Sequence, residues 1–124
     1  MLIKEIMKKP IAIDKDITLE QASKIMTKQD INSLLIVKKE MVIGVITYED
    51  LVKNFGKKLM VSNVMSKDIV FIRADDKVHK AIEIIKKRKI SILPVLDGKN
   101  NLVGVVHVKE LLTKSTEDED FLLD

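Results

Sequence analysis

Two short stretches carry reactive residue types at matched spacing. Thr47 and Asp50 stand in Thr-Tyr-Glu-Asp, and His107 and Glu110 stand in His-Val-Lys-Glu, each directly after an apolar run. A carboxylate in such a place accepts two hydrogen bonds from a pair of vicinal hydroxyls. A hydroxyl three residues earlier faces the same side, and the start of a following helix favours an anion. Thr-x-x-Asp is also the spacing of a capping box, which begins a helix with no ligand present, and the two roles can coexist. In the second stretch Glu110 has a longer arm than an aspartate, and His107 brings an imidazole where the first stretch has a small hydroxyl. Packing at a strand end is the competing role for that ring.

Other chemistries lack their residues. The 124-residue chain has no Cys, which excludes disulfides, iron–sulfur clusters, thiol catalysis and Cys-ligated zinc. His79 and His107 do not share a helical face, so no metal site is expected. There is no G-x-x-x-x-G-K-[ST] loop, no G-x-G-x-x-G and no H-E-x-x-H. With no activated nucleophile or acid–base pair in view, the chain is not expected to be an enzyme, and no cofactor is expected. One Tyr, three Phe and no Trp leave little material for base stacking. No apolar run approaches the ~18 residues that cross a bilayer, and Met1–Pro10 has no signal-peptide core. The expected setting is therefore cytoplasmic, away from membranes.

Charge is unevenly spread. The last ten residues carry Glu117, Asp118, Glu119, Asp120 and Asp124 and no base, while the net charge of the whole chain is +3. The first 114 residues alone therefore carry +8. A basic body of this kind leaves nucleic-acid binding open as a competing function. The Lys-Lys-Arg-Lys run at 86–89 has a simpler reading, as favourable pairing with a helix carboxyl end.

The residues that carry chemistry sit inside a pattern written twice. Ile6–Met7 aligns with Val64–Met65, Ile11–Ile13 with Ile69–Phe71, the run 31–37 with 90–96, and 41–47 with 101–107. Each copy reads β-α-β-β-α. A short strand (11–13; 69–72) leads to a helix with one apolar stripe. That stripe is Leu19, Ala22, Ile25 and Met26 in one copy, and Val78, Ala81, Ile82, Ile84 and Ile85 in the other. Thr18 is placed to cap the first of these helices. Hairpins follow around 38–40 and 97–101, then closing helices at 48–55 and 108–114. The expected organisation is a first repeat over 1–57, a second over 58–114 and an acidic tail over 115–124. Leu59, Met60 and Val61, in the connector, call for burial. The fold class is mixed α+β, the two repeats packing sheet to sheet about a pseudo-two-fold axis. The closing helices leave Leu51, Val52, Phe55, Leu111 and Leu112 for a partner surface, which points to a homodimer. A purely structural dimerisation module is a further alternative.

The pattern resembles the tandem cystathionine-β-synthase (CBS) domain pair. The likeness lies in the Ile-Met and Val-Met openings, in the passages Asp30–Val37 and Lys89–Asp97, and in Gly-Val-Ile-Thr-Tyr-Glu-Asp-Leu and Gly-Val-Val-His-Val-Lys-Glu-Leu. It spans residues 1–114, as a stand-alone pair would. The resemblance implies a regulatory module that binds an adenosyl ligand (AMP, ADP, ATP or S-adenosylmethionine) between the repeats and modulates a partner protein.

The resemblance also implies site residues. Thr47 and Asp50 match its ribose motif, with Val45 and Ile46 lining the same pocket and Ile69 and Val70 flanking the adenine. Ser91 and Ile92 occupy positions that often hold phosphate ligands, and Lys109 matches a phosphate-contact position. A second cleft would comprise Ile11, Ala12, Asn32, Ser33, His107 and Glu110. For the apolar residues among these, plain core is the alternative. Glu49, beside the ribose Asp, would oppose a polyphosphate if it points into the cleft, which ranks monophosphate or S-adenosyl ligands above ATP.

Overall fold

Thr18 opens the first long helix as expected. Its hydroxyl accepts from the Gln21 amide at 3.1 Å, and the Gln21 side chain accepts from the Thr18 amide at 3.0 Å. The computed structural model describes the backbone of residues 1–115 and the side chains of residues 1–111. The tail beyond Ser115, and the side chain of Leu112, lie outside the described residues.

The first sheet has strands β1 (Ala12–Ile13), β2 (Ser33–Lys38) and β3 (Met41–Thr47), in that order, with helices α1 (Leu19–Gln29) and α2 (Tyr48–Lys53). A short helix, α3 (Val61–Val64), follows in the expected connector. The second sheet has β4 (Ile72–Arg73), β5 (Ile92–Leu96) and β6 (Leu102–His107), with α4 (Val78–Arg88) and α5 (Val108–Ser115). In each sheet the first pair is parallel and the second antiparallel. The register slips at the same place in both antiparallel pairs, at Ile36/Val37 and at Val95/Leu96. The chain is mixed α+β, built twice.

The opening strands are shorter than expected. Ile11 precedes β1, and Ile69 and Val70 precede β4 in irregular backbone. Only two residues on each side find a parallel partner, Ala12 and Ile13 on Leu35 and Ile36, and Ile72 and Arg73 on Val95 and Leu96. The first hairpin turns on Lys39 and Glu40, both left-handed, at φ 52° and 67°. Two consecutive positive φ values are the type I′ geometry that matches strand twist.

The compact units do not coincide with the sequence repeats 1–57 and 58–114. One unit is Ile11–Ile69; the other joins Met1–Pro10 to the chain from Val70 onward. The reason is burial. Ile3 and Ile6 enter the second core, with Ile72, Val78, Ala81, Ile82, Leu93 and Val106. Val61 enters the first core, with Leu19, Ala22, Met26, Leu34 and Ile46, and Leu59 packs against it. Met60 stays exposed. Each buried Ile or Leu contributes about 1.5–3 kcal/mol, so the leading turn Ile3–Glu5 is held by its apolar side chains as much as by its backbone bonds to Ala74 and Asp76.

Candidate functional site

The amino end of α2 is made by its own sequence. The Thr47 hydroxyl accepts from the Asp50 amide at 3.3 Å, and Asp50 Oδ2 accepts from the Thr47 amide at 2.9 Å and from the Thr47 hydroxyl at 3.0 Å. The capping box and the candidate site are therefore one object. It fixes the half-buried carboxylate through Oδ2, and among the described residues no hydrogen bond engages Oδ1.

Neighbouring strands complete this corner. Ser33, almost fully buried, pairs with Thr47 across β2 and β3, and the Asn32 carbonyl accepts from the Tyr48 amide at 3.1 Å. Val45 is half-buried and exchanges two backbone hydrogen bonds with Ser66. Ile46, expected on the pocket wall, is instead wholly buried in the core, because alternation along β3 turns it to the opposite face from Val45. Glu49 does not turn toward Asp50's partners. It is exposed and pairs with Lys53 along the helix at 3.0 Å.

The corresponding corner of the other unit differs in chemistry. His107 pairs across the sheet with Ile92, which is buried, and the Ser91 carbonyl accepts from the Val108 amide at 3.0 Å. Glu110, whose side chain is only 12% exposed, meets Lys8 at 3.7 Å. Its other oxygen, Oε2, is buried and lacks a hydrogen-bond partner among the described residues. Burial raises the Glu110 carboxyl above its ordinary 4.5, against the pull of Lys8 and Lys109. Burial likewise lowers the His107 imidazole below 6.5, helped by Lys109 and Lys8.

Lys8 is a member of this corner that its sequence position did not announce. Its backbone exchanges hydrogen bonds with Val105 at 2.9 Å, as Ser66 does with Val45 in the other unit. The signal lies in the alignment of Ile6–Met7 with Val64–Met65, which sets Lys8 opposite Ser66 in the next position.

The expected residues thus gather by unit. Asn32, Ser33, Val45, Thr47 and Asp50 meet in one, and Ser91, Ile92, His107, Lys109 and Glu110 in the other. Ile11 packs on the first core beside Ala12 of β1; Val70 packs on the second core, and Ile69 is half-buried. Among the described residues no group of three or more His, Cys, Asp or Glu gathers as a metal site, and no helix is long and apolar enough to cross a membrane.

A family model for the CBS domain matches residues 3–57 and 61–117. The inosine-5′-monophosphate dehydrogenase of Thermoplasma acidophilum is 33% identical over 103 residues, 82% of this chain and 21% of that protein. The L-aspartate semialdehyde sulfurtransferase of Methanocaldococcus jannaschii is 32% identical over 114 residues, 89% of this chain and 22% of that one. The chain thus spans about a fifth of the length of these curated relatives. Among solved structures, the CBS domain pair of protein MJ0100 in complex with 5′-methylthioadenosine and S-adenosyl-L-methionine superposes with a TM-score of 0.87. It is 28% identical, and the match covers 94% of this chain and 97% of that one.

Proposed function

The chain belongs to the CBS-domain family, with two copies in tandem, and from that premise we propose that it is a regulatory module that binds an adenosyl compound. The observation that carries this reading is the Thr47–Asp50 pair. Its capping box holds the carboxylate rigid through Oδ2, while Oδ1 has no hydrogen bond among the described residues. A carboxylate so fixed accepts the hydroxyls of a ribose without first paying the entropy of ordering itself. The module does no chemistry of its own on this reading. Ligand binding shifts a population of conformers that a partner protein reads.

The same module is a homodimer. Val52 and Phe55 on and after α2 are 74% and 89% exposed. Phe55, with Leu19 and Leu51, lines a groove of about 490 Å³ that has Lys57 at its edge. Apolar side chains so exposed beside a groove suit a second copy, related by a two-fold axis.

A thermal-shift panel of AMP, ADP, ATP, S-adenosylmethionine and 5′-methylthioadenosine tests the ligand. A concentration-dependent rise in Tm with at least one of them is expected. A flat response to all five refutes adenosyl binding and leaves a structural dimerisation module.

A further inference from the structure

The two motif corners stand at equivalent places and differ in charge. Thr47 and His107 each end the third strand of their sheet, Asp50 and Glu110 are each the third residue of the next helix, and Ser66 and Lys8 each pair by backbone with the strand two residues before the motif. In the first copy the matching positions hold Thr47, Glu49 and Ser66. Glu49 is matched by Lys53 at 3.0 Å, and neither Thr47 nor Ser66 brings a positive charge to this corner. Around Glu110 stand His107, Lys109 and Lys8. Lys8 lies 3.7 Å from the carboxylate, and Lys109 is near enough to act on both His107 and Glu110. The Lys8 ammonium is the one that faces that carboxylate. Its buried Oε2 has no hydrogen-bond donor among the described residues.

We infer that the two copies sort adenosyl compounds by charge. The Thr47–Asp50 corner takes neutral or cationic members, a thioether or sulfonium nucleoside, and the His107–Glu110 corner with Lys8 takes phosphorylated ones. This rests on the adenosyl reading above and deepens it. The reason is local electrostatics. A phosphate brought beside Asp50 meets a carboxylate at a corner where Ser66 stands in the place of Lys8 and Glu49 in that of Lys109, whereas beside Glu110 it meets Lys8, which can turn from the carboxylate to the phosphate as a ligand hydroxyl engages Glu110. A sulfonium has the reverse preference. One chain then reports two metabolite classes at once.

The experiment exchanges the equivalent residues. Wild-type protein, Lys8→Ser and Ser66→Lys are titrated by calorimetry at low salt with AMP and with 5′-methylthioadenosine. Thermal unfolding of each variant checks its fold. Lys8→Ser should lower AMP affinity about tenfold and reduce the ratio of AMP to methylthioadenosine affinity by the same factor. Ser66→Lys alters an exposed side chain and should add AMP binding at the first corner. An affinity ratio unchanged across all three proteins, with either ligand still binding, overturns the charge sorting and leaves the adenosyl reading standing. No binding of either ligand to any of the three overturns both.

Discussion

Met7 lies over Gly104 as Met65 lies over Gly44. A Cβ built on Gly104 would stand 2.5 Å from the Met7 sulfur and 3.1 Å from its Cβ, and one built on Gly44 would stand 2.8 Å from Met65 Cγ and 3.2 Å from its Cβ. The absent side chain lets the segment Met7-Lys8 or Met65-Ser66 lie against the strand and pair with it. The same contact brings Lys8 into reach of Glu110.

Gly104→Ala and Gly44→Ala should each destabilise the fold by about 1–3 kcal/mol, the range for overpacking. Met7→Ala should relieve Gly104→Ala in the double mutant, which urea unfolding can measure. Additive losses would mean that the methionine is not what the new methyl meets.

Asp50→Ala should weaken 5′-methylthioadenosine binding about ten- to a hundredfold, the worth of a charge-assisted hydrogen bond of roughly 1.5–3 kcal/mol. Glu110→Ala should leave that binding nearly intact. Calorimetric titration decides it, and the opposite pattern would place the neutral-ligand site in the other copy.

Glu110 and His107 give the stability of the fold opposite pH slopes. The His107 imidazole sits below 6.5 in the folded state, so folding releases protons there and stability falls as pH drops through 6.5. The Glu110 carboxyl sits above 4.5, so folding takes up protons there, and stability falls as pH rises from 4.5 through the raised value. Glu110→Gln should therefore be at least as stable as wild type at pH 7, and the acid loss below 6.5 should flatten in His107→Gln. Thermal unfolding across about pH 4–8 checks both. A Glu110→Gln protein clearly weaker at neutral pH would show that pairing with Lys8 outweighs burial.

The turn Lys39-Glu40 holds two side-chain-bearing residues in the left-handed region. Replacing the pair with Asn-Gly should raise stability by about 1 kcal/mol, since that region is costly for other L residues. An unchanged urea midpoint would contradict the type I′ assignment.

Wild-type protein should sediment as a dimer, and Val52→Asp with Phe55→Asp should weaken association at least about tenfold without loss of monomer stability, because both side chains are exposed. A monomer persisting at high wild-type concentration would refute the dimer.

What the amino-acid sequence determined by itself is everything set by neighbours a few residues apart. The stripe Leu19, Ala22, Met26 and its counterpart Val78, Ala81, Ile82 mark one face of a helix through i to i+4 spacing. The Thr18 and Thr47 caps close within three residues. The hairpins follow from short polar turns between apolar runs, and the repeat multiplies each signal by two. Tertiary structure alone decided where the leading segment goes. Ile3, Ile6 and Met7 are apolar enough for either core, and only burial beside Ala81, Leu93 and Val106 selects the second. It also decided that Glu49 turns to Lys53 and that Lys8 meets Glu110. Lys8 and Glu110 are separated by nearly the whole chain, and no local periodicity links residues so far apart. Their charge pairing exists only once the backbone of Lys8 has docked on Val105.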